Sequence, residues 1–120
     1  MLRIRKAPKR LSAYTNEDSE GNPMVKDHAY KAQRDGQVFV YSGNFSAQGT
    51  IQLFVGLTSN PAGAGERIQY QSGSEIATYQ SVSAEVAKGE FFEVTATASA
   101  GSQVIRWKTR GRMKKPVDFN

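Results

Sequence analysis

The stretch SVSAEVAKGEFFEVTATA, residues 81–98, decides the class of fold. On both sides of Lys88 and Gly89, apolar residues recur at every second position. A period of two is the pattern of a half-buried β-strand, and a Lys-Gly pair between two such runs is typical of a turn. The stretch therefore predicts a β-hairpin with one apolar face.

Similar short runs, bounded by turn residues, occupy most of the chain. They cover residues 24–33, 37–42, 50–57, 67–71, 75–80, 81–87, 90–98 and 103–110. None of the sequence has the 3.6-residue periodicity of an amphipathic helix. About eight strands and no helix predict an all-β protein, a single antiparallel β-sandwich of the jelly-roll type. The glycine-rich loop 58–66 is then expected to cross between the two sheets.

Charge divides the chain into three parts. Of its sixteen lysines and arginines, five lie in residues 1–12 and six in residues 106–115, and neither segment contains an acidic residue. We predict an extended basic N-terminal arm (1–23), a β-sandwich domain (24–110) and a short basic C-terminal tail (111–120). The alternative for the arm is a disordered tail, because the segment is too polar to fold alone.

The two basic ends are the candidate partner-binding sites. In the arm, cations are interleaved with apolar anchors: Leu2, Arg3, Ile4, Arg5, Lys6, Lys9, Arg10 and Leu11. In the last strand, the period of two places Arg106, Lys108, Arg110 and Arg112 on one side and Trp107 on the other. Such a stripe predicts docking on an acidic surface, and the alternative is an edge strand whose charges prevent aggregation.

Nucleic acid is the first acidic partner to consider. Proteins that bind single strands place basic and aromatic side chains on the same face, so that bases stack while phosphates are neutralised. Trp107 is out of phase with Arg106 and Lys108, and Phe39 and Tyr41 lie within apolar runs. The sequence therefore favours an acidic protein surface over nucleic acid.

Residues for catalysis or metal binding are scarce. The chain has no cysteine and a single histidine, His28, so it cannot form a histidine- or cysteine-based metal cluster. Glu85 and Glu93 are in the outward phase of their strands, as on an ordinary solvated sheet face. We predict no catalytic residue, no metal and no cofactor, and therefore no enzyme.

Targeting signals are also absent from the sequence pattern. No apolar run approaches the length of a membrane span, and polar residues follow the basic start where a signal peptide would be apolar. We expect a protein that folds in the cytoplasm and has no membrane partner.

Some outward positions are apolar: Phe39, Tyr41 and Phe91. Either loops of the chain cover these side chains, or they form a subunit interface, since exposed aromatic residues are common interface material. We expect a homo-oligomer, for which a trimer is one candidate.

The spacing of turns and strands carries a resemblance. Tyr30 precedes the Asp35-Gly36 turn and an apolar strand, Val82–Val94 contains two strands about a Lys-Gly turn, and Val104–Lys108 is a closing strand. This outline resembles the short jelly-roll modules of accessory virion proteins in tailed bacteriophages. It is also similar to the trimeric jelly rolls related to complement and tumour-necrosis-factor domains.

The resemblance implies a non-enzymatic virion structural protein. The expected role is a capsid decoration (cement) protein that binds the phage head shell and stabilises it, with the major capsid protein or another virion protein as partner. Its location would be the capsid surface, after assembly in the bacterial host cytoplasm. A tail, collar or fibre attachment protein is the alternative within this class. A carbohydrate-binding β-sandwich and a single-strand nucleic-acid-binding barrel remain open outside it.

Overall fold

A computed structural model of the chain describes residues 10–42, 49–64, 67–73, 80–97 and 103–119. These residues form strands, turns and bends and contain no helix. The strands are β1 (Ala29–Lys31), β2 (Gly36–Ser42), β3 (Gly49–Gly56), β4 (Arg67–Gly73), β5 (Ser81–Val86), β6 (Phe91–Ala96), β7 (Gln103–Thr109) and β8 (Val117–Asp118). The all-β class predicted from the sequence is confirmed.

The strands pair into two antiparallel sheets. One has the order β4-β3-β6-β1-β8, in which β8 is a two-residue edge, and the other has the order β5-β2-β7. Seven of the strands fall close to predicted runs, although the run 24–33 contributes only β1. The predicted strand 75–80 lies outside the described residues apart from Gln80. The sequence did not predict β8.

The connections between strands differ from those predicted. The chain changes sheet at every connection except the one between β3 and β4. The predicted hairpin about Lys88 and Gly89 is therefore wrong, because β5 and β6 lie in different sheets. The predicted crossover at loop 58–66 is wrong as well, because this loop joins two neighbours in one sheet. Alternation shows which face of a strand is buried but not which sheet the strand joins.

The core lies between the two sheets and follows the predicted alternation. Along β2, buried and half-buried residues alternate, with Val38 and Val40 fully buried. At the centre, the Trp107 indole stacks on Phe92 with ring centroids 5.2 Å apart. Trp107 is fully buried, and its Nε1 donates to the carbonyl of Lys114 at 2.9 Å, so the polar atom of the ring is satisfied.

Gly36 packs directly against the backbone of Lys108 and the indole of Trp107. A Cβ at this position would lie 2.2 Å from the carbonyl oxygen of Lys108 and 2.7 Å from Cζ2 of Trp107. The glycine that the sequence predicted as part of a turn is therefore the first residue of β2, and it makes room for the indole.

Tyr30 is the buried tyrosine of β1. Its hydroxyl accepts the N–H of Val25 at 2.8 Å, and its ring lies 5.6 Å from that of Phe92. Burial raises the pKa of Tyr30 to about 12, because the phenolate would lose its hydration.

Neither a long apolar helix nor a cluster of metal-ligating side chains is present among the described residues. No helix among them is long and apolar enough to cross a membrane. They also contain no group of three or more histidine, cysteine or acidic side chains arranged to hold a metal ion.

Candidate functional site

One edge of the three-stranded sheet, the strand β7, is covered by the chain's own N-terminal segment. Residues 10–16 run antiparallel to β7, with isolated bridges between Leu11 and Arg110 and between Thr15 and Trp107. Thr15 and Trp107 exchange two backbone hydrogen bonds of 2.8 Å. Since this pairing satisfies part of the β7 backbone, the edge is protected by chain pairing as well as by charge.

The next part of the predicted arm is a closed turn. Asp18 is buried, and its Oδ1 accepts the N–H groups of Glu20 at 2.9 Å and Asn22 at 3.1 Å. Gly21 allows the turn with a φ of 83°. Met24, just beyond it, is part of the core. Residues 10–23 are thus packed on the sandwich.

The predicted C-terminal tail is also held against the body over residues 111–119. Thr109 Oγ1 donates to the carbonyl of Arg112 at 2.9 Å and accepts the N–H of Lys114 at 3.2 Å. Lys115 Nζ lies 2.8 Å from Glu17 Oε1, which ties this segment to the N-terminal one. The two terminal segments therefore support each other.

The two basic ends of the sequence meet at one end of the sandwich. The N–H of Gly111 donates to the carbonyl of Arg10 at 2.7 Å. The β1–β2 turn joins them, because Arg34 Nη1 donates to the carbonyl of Arg112 at 2.8 Å. The β5–β6 turn is attached through Asp35, whose Oδ1 accepts the N–H of Lys88 at 2.8 Å. We call the exposed cations gathered here the basic corner: Arg10, Arg34, Lys88, Arg110 and Arg112.

Three carboxylates lie among these cations. Asp35 Oδ1 is bonded to the Lys88 N–H, and Glu90 Oε1 accepts the N–H of Ala87 at 2.7 Å. Glu85 lies 3.7 Å from Arg110, but both side chains are largely exposed, so this pair contributes little. Five cations face three carboxylates, two of which already bind backbone N–H groups. The corner is positive, and residues 1–9, with four more cations, continue directly from Arg10.

A second cationic surface lies on the outer face of the three-stranded sheet. Phe39 of β2 is directly opposite Arg106 of β7, so the two side chains share a face. The rings of Tyr14, Phe39 and Tyr41 form a row with centroid separations of 6.2 and 6.1 Å. Together with Arg106 and Lys108 they form what we call the aromatic face.

Both cations of the aromatic face lie over a ring. The guanidinium of Arg106 is 5.2 Å from the centroid of Tyr41, and its Nη2 donates to the Tyr41 hydroxyl at 3.1 Å. Lys108 Nζ is 4.4 Å from the centroid of Tyr14. Contacts of this kind on a protein surface are worth about 0.5–1 kcal/mol each, so the cations can leave the rings at small cost.

The structure divides the predicted partner-binding residues between these surfaces. Arg10, Arg110 and Arg112 belong to the basic corner, Arg106 and Lys108 belong to the aromatic face, and Leu11 is 36% exposed on the segment paired with β7. The predicted positions Leu2, Arg3, Ile4, Arg5, Lys6 and Lys9 lie outside the described residues. The single stripe does not form, because the strand ends at Thr109 and Gly111 turns the chain with a φ of 76°.

Sequence reasoning missed several members of both surfaces. Arg34 and Lys88 come from turns that only the sheet topology brings to Arg110. The separation of aromatic from basic residues holds for Trp107 but not for Phe39 and Tyr41. Their outward phase was visible in the sequence, whereas the pairing of β2 with β7 was not.

The outer face of the five-stranded sheet is closed by the chain itself. Glu93, predicted to be solvated, is buried instead, and its Oε1 lies 3.4 Å from the N–H of Ala62 in the β3–β4 loop. Phe91 is buried against Phe119, with an edge-to-face contact of 5.0 Å. Segments of the chain therefore cover the outward Phe91. His28 Nδ1, just before β1, lies 3.1 Å from Oδ2 of Asp118 in β8.

Comparison with known proteins gives no relative for this chain. No protein-family model matches the sequence, and no significant match was found among curated proteins or solved structures.

Proposed function

We propose that the protein is a non-enzymatic structural module that docks on an acidic protein surface through its basic corner and the residues 1–9 that continue from it. In the setting that the bacteriophage resemblance implies, it is a capsid decoration protein of jelly-roll type whose partner is the major capsid protein. The observation that supports this role is the meeting of the two basic sequence ends, through Arg10 and Gly111, at one end of a sandwich.

The strength of such docking depends on more than charge. An exposed ion pair contributes about 0–1 kcal/mol, so the corner alone would bind weakly and in a salt-dependent way. Burial of Leu2, Ile4 and Leu11 would add apolar contact, and several copies on one shell would add avidity. A homo-oligomer, such as a trimer, belongs to the same proposal because it would multiply the corners that bind together.

The jelly-roll assignment is part of this proposal. In its favour, the chain passes from one sheet to the other at all but one of its connections, as sandwiches built from Greek keys commonly do. The strands are divided five and three between the sheets, not evenly, because β3 and β4 are neighbours in the same sheet.

Co-sedimentation with purified empty heads of the phage that encodes the protein tests the proposal. The truncation must stop at residue 9, because residues 10–23 are packed against β7 and the core. We expect saturable binding that loses about tenfold in affinity in Arg110→Gln/Arg112→Gln and more on deletion of residues 1–9.

The matched control removes two charges from the same segment of chain but from the other surface: Arg106→Gln/Lys108→Gln. This variant is expected to bind heads as the unmodified protein does. Equal losses in the two double variants would indicate non-specific attraction, and absence of binding to heads would contradict the decoration role. Light scattering on the free protein measures the oligomeric state.

A further inference from the structure

We propose that the aromatic face is a binding site for single-stranded nucleic acid. This site is separate from the basic corner and does not depend on the function proposed for it. The chemistry of the face is that of a stacking platform: a row of aromatic rings on the outside of a sheet, with cations at its border.

The rings are presented by two elements that fix their spacing. Phe39 and Tyr41 are alternate residues of β2, the central strand of the three-stranded sheet, and Tyr14 comes from the segment that pairs with β7. The ring planes of neighbours are tilted by 42° and 47°, so the three rings do not stack on one another. Tyr14 is 39% exposed, and Phe39 and Tyr41 are half-buried. A flexible single strand can place successive bases on such a row.

The charge of the face favours an anionic ligand. Arg106 and Lys108 lie over the two end rings of the row, 5.2 Å from the centroid of Tyr41 and 4.4 Å from that of Tyr14. Two carboxylates border this face: Glu17, which lies 2.8 Å from Lys115, and Glu85, which lies 3.7 Å from Arg110. Phosphates would therefore meet two cations at the border of the ring row.

Of the ligand classes considered, single-stranded nucleic acid would use both the rings and the cations of the face. A neutral sugar would stack on the rings but would not need the cations. An acidic peptide would bind the cations but would not need three rings. Duplex DNA keeps its bases stacked inside the helix and exposes mainly phosphates. Base–aromatic stacking is also stronger than an exposed cation–aromatic contact, so a base can displace Arg106 or Lys108 from its ring.

Fluorescence anisotropy of labelled oligothymidine with the full-length protein tests this site. We expect binding that is stronger for oligothymidine than for a duplex of equal length. Tyr14→Ser and Phe39→Thr are each expected to weaken it about tenfold. Phe39→Tyr should retain the affinity because it keeps a ring. Chemical denaturation of Phe39→Thr, which should show that the variant is still folded, separates a stacking role from a loss of folding. Arg106→Gln/Lys108→Gln should also lower the salt slope by about 1.4, because each phosphate contact with a single strand contributes about 0.7.

Two controls separate this site from the rest of the surface. Phe119→Ala removes an exposed ring that lies near Lys31 on the other sheet, and it should leave oligothymidine binding unchanged. Arg110→Gln/Arg112→Gln, which weakens head binding in the function proposed above, should change oligothymidine affinity less than Phe39→Thr does.

The proposal is overturned if oligothymidine does not bind. It is also overturned if affinity is the same for duplex and single strand and insensitive to Tyr14 and Phe39, or if an acidic peptide or a neutral polysaccharide binds the face more tightly. Each of these results can occur whether or not the protein binds phage heads, so the two proposals fail independently.

Discussion

The outer faces of the two sheets both carry aromatic residues, but these side chains are buried on one sheet and only half-buried on the other. On the five-stranded sheet, Phe54, Phe91 and Glu93 point outward and are nevertheless buried, under the β3–β4 loop and Phe119. On the three-stranded sheet, Phe39 and Tyr41 point outward and remain half-buried beside the exposed Arg106 and the half-buried Lys108. The chain therefore covers one aromatic face and leaves the other accessible, so the accessible face is the candidate binding surface.

The largest expected effect concerns the inner side of the accessible sheet. Gly36→Ala would place a methyl group 2.2 Å from a backbone carbonyl oxygen, and neither the backbone nor the buried Trp107 can move aside freely. We expect a loss of about 3 kcal/mol or more in the free energy of unfolding, measured by chemical denaturation. Gly89→Ala is the control, because it meets no atom within 4 Å and its cost comes only from a φ of 90°. Equal effects at the two glycines would contradict the close packing of Gly36.

A matched pair of phenylalanines compares the two outer faces directly. Phe91→Ala removes a buried ring from the covered face and is expected to cost about 3 kcal/mol, as in a core. Phe39→Ala on the accessible face is expected to cost less, about 1–2 kcal/mol, since that ring is only partly buried. If both substitutions cost the same, the distinction between a covered and an accessible face is wrong.

Tyr30, on the inner side of the covered sheet, predicts a dependence of stability on pH. Its pKa is about 12 in the folded protein and about 10 in an unfolded chain, so folding favours the neutral phenol. This contribution is fully present below pH 10 and is lost as the pH rises from 10 to 12, by up to about 2–3 kcal/mol. In Tyr30→Phe the fall in unfolding free energy over this range should be shallower by that amount. An unchanged slope would show that Tyr30 is not buried as described.

The smallest effect is expected where the terminal segments meet. Lys115 and Glu17 form a contact of 2.8 Å, but their side chains are 37% and 42% exposed. A double-mutant cycle with Lys115→Gln and Glu17→Gln should give a coupling energy of about 0.5 kcal/mol. A coupling above about 2 kcal/mol would mean that the pair is desolvated and carries the attachment of the terminal segments.

The sequence predicted strands well and their partners poorly. Alternation at Val38, Val40, Val82 and Val86 predicted which side chains enter the core, because that depends on local spacing alone. The turn at Lys88 and Gly89 predicted a reversal but not its destination, since a tight turn can lead to the same sheet or to the other one. Glu93 has the spacing of a solvated residue, and only the distant β3–β4 loop buries it.

The same holds for the candidate surfaces: the sequence predicted individual residues but not which of them lie together. The cations of β7 and the outward phase of Phe39 were evident from the chain, but the register that places Phe39 opposite Arg106 is a long-range pairing. The basic corner depends on crossings between sheets that bring Arg34 and Lys88 to the segment after β7. Local patterns contain no information about such crossings.

Residues 10–16 pair with β7 through backbone hydrogen bonds, and this pairing brings the two basic ends together. Amide hydrogen exchange on the full-length protein measures this directly. The amides of Ser12, Thr15 and Gly111 donate backbone hydrogen bonds of 2.7–2.8 Å, and we expect them to be protected along with that of Trp107 in β7. Since the Trp107 amide donates to Thr15, the reference for a folded sandwich is the central strand β2. Exchange of Ser12, Thr15, Gly111 and Trp107 at the rates of an unstructured peptide, with the amides of β2 still protected, would show that the basic corner does not exist.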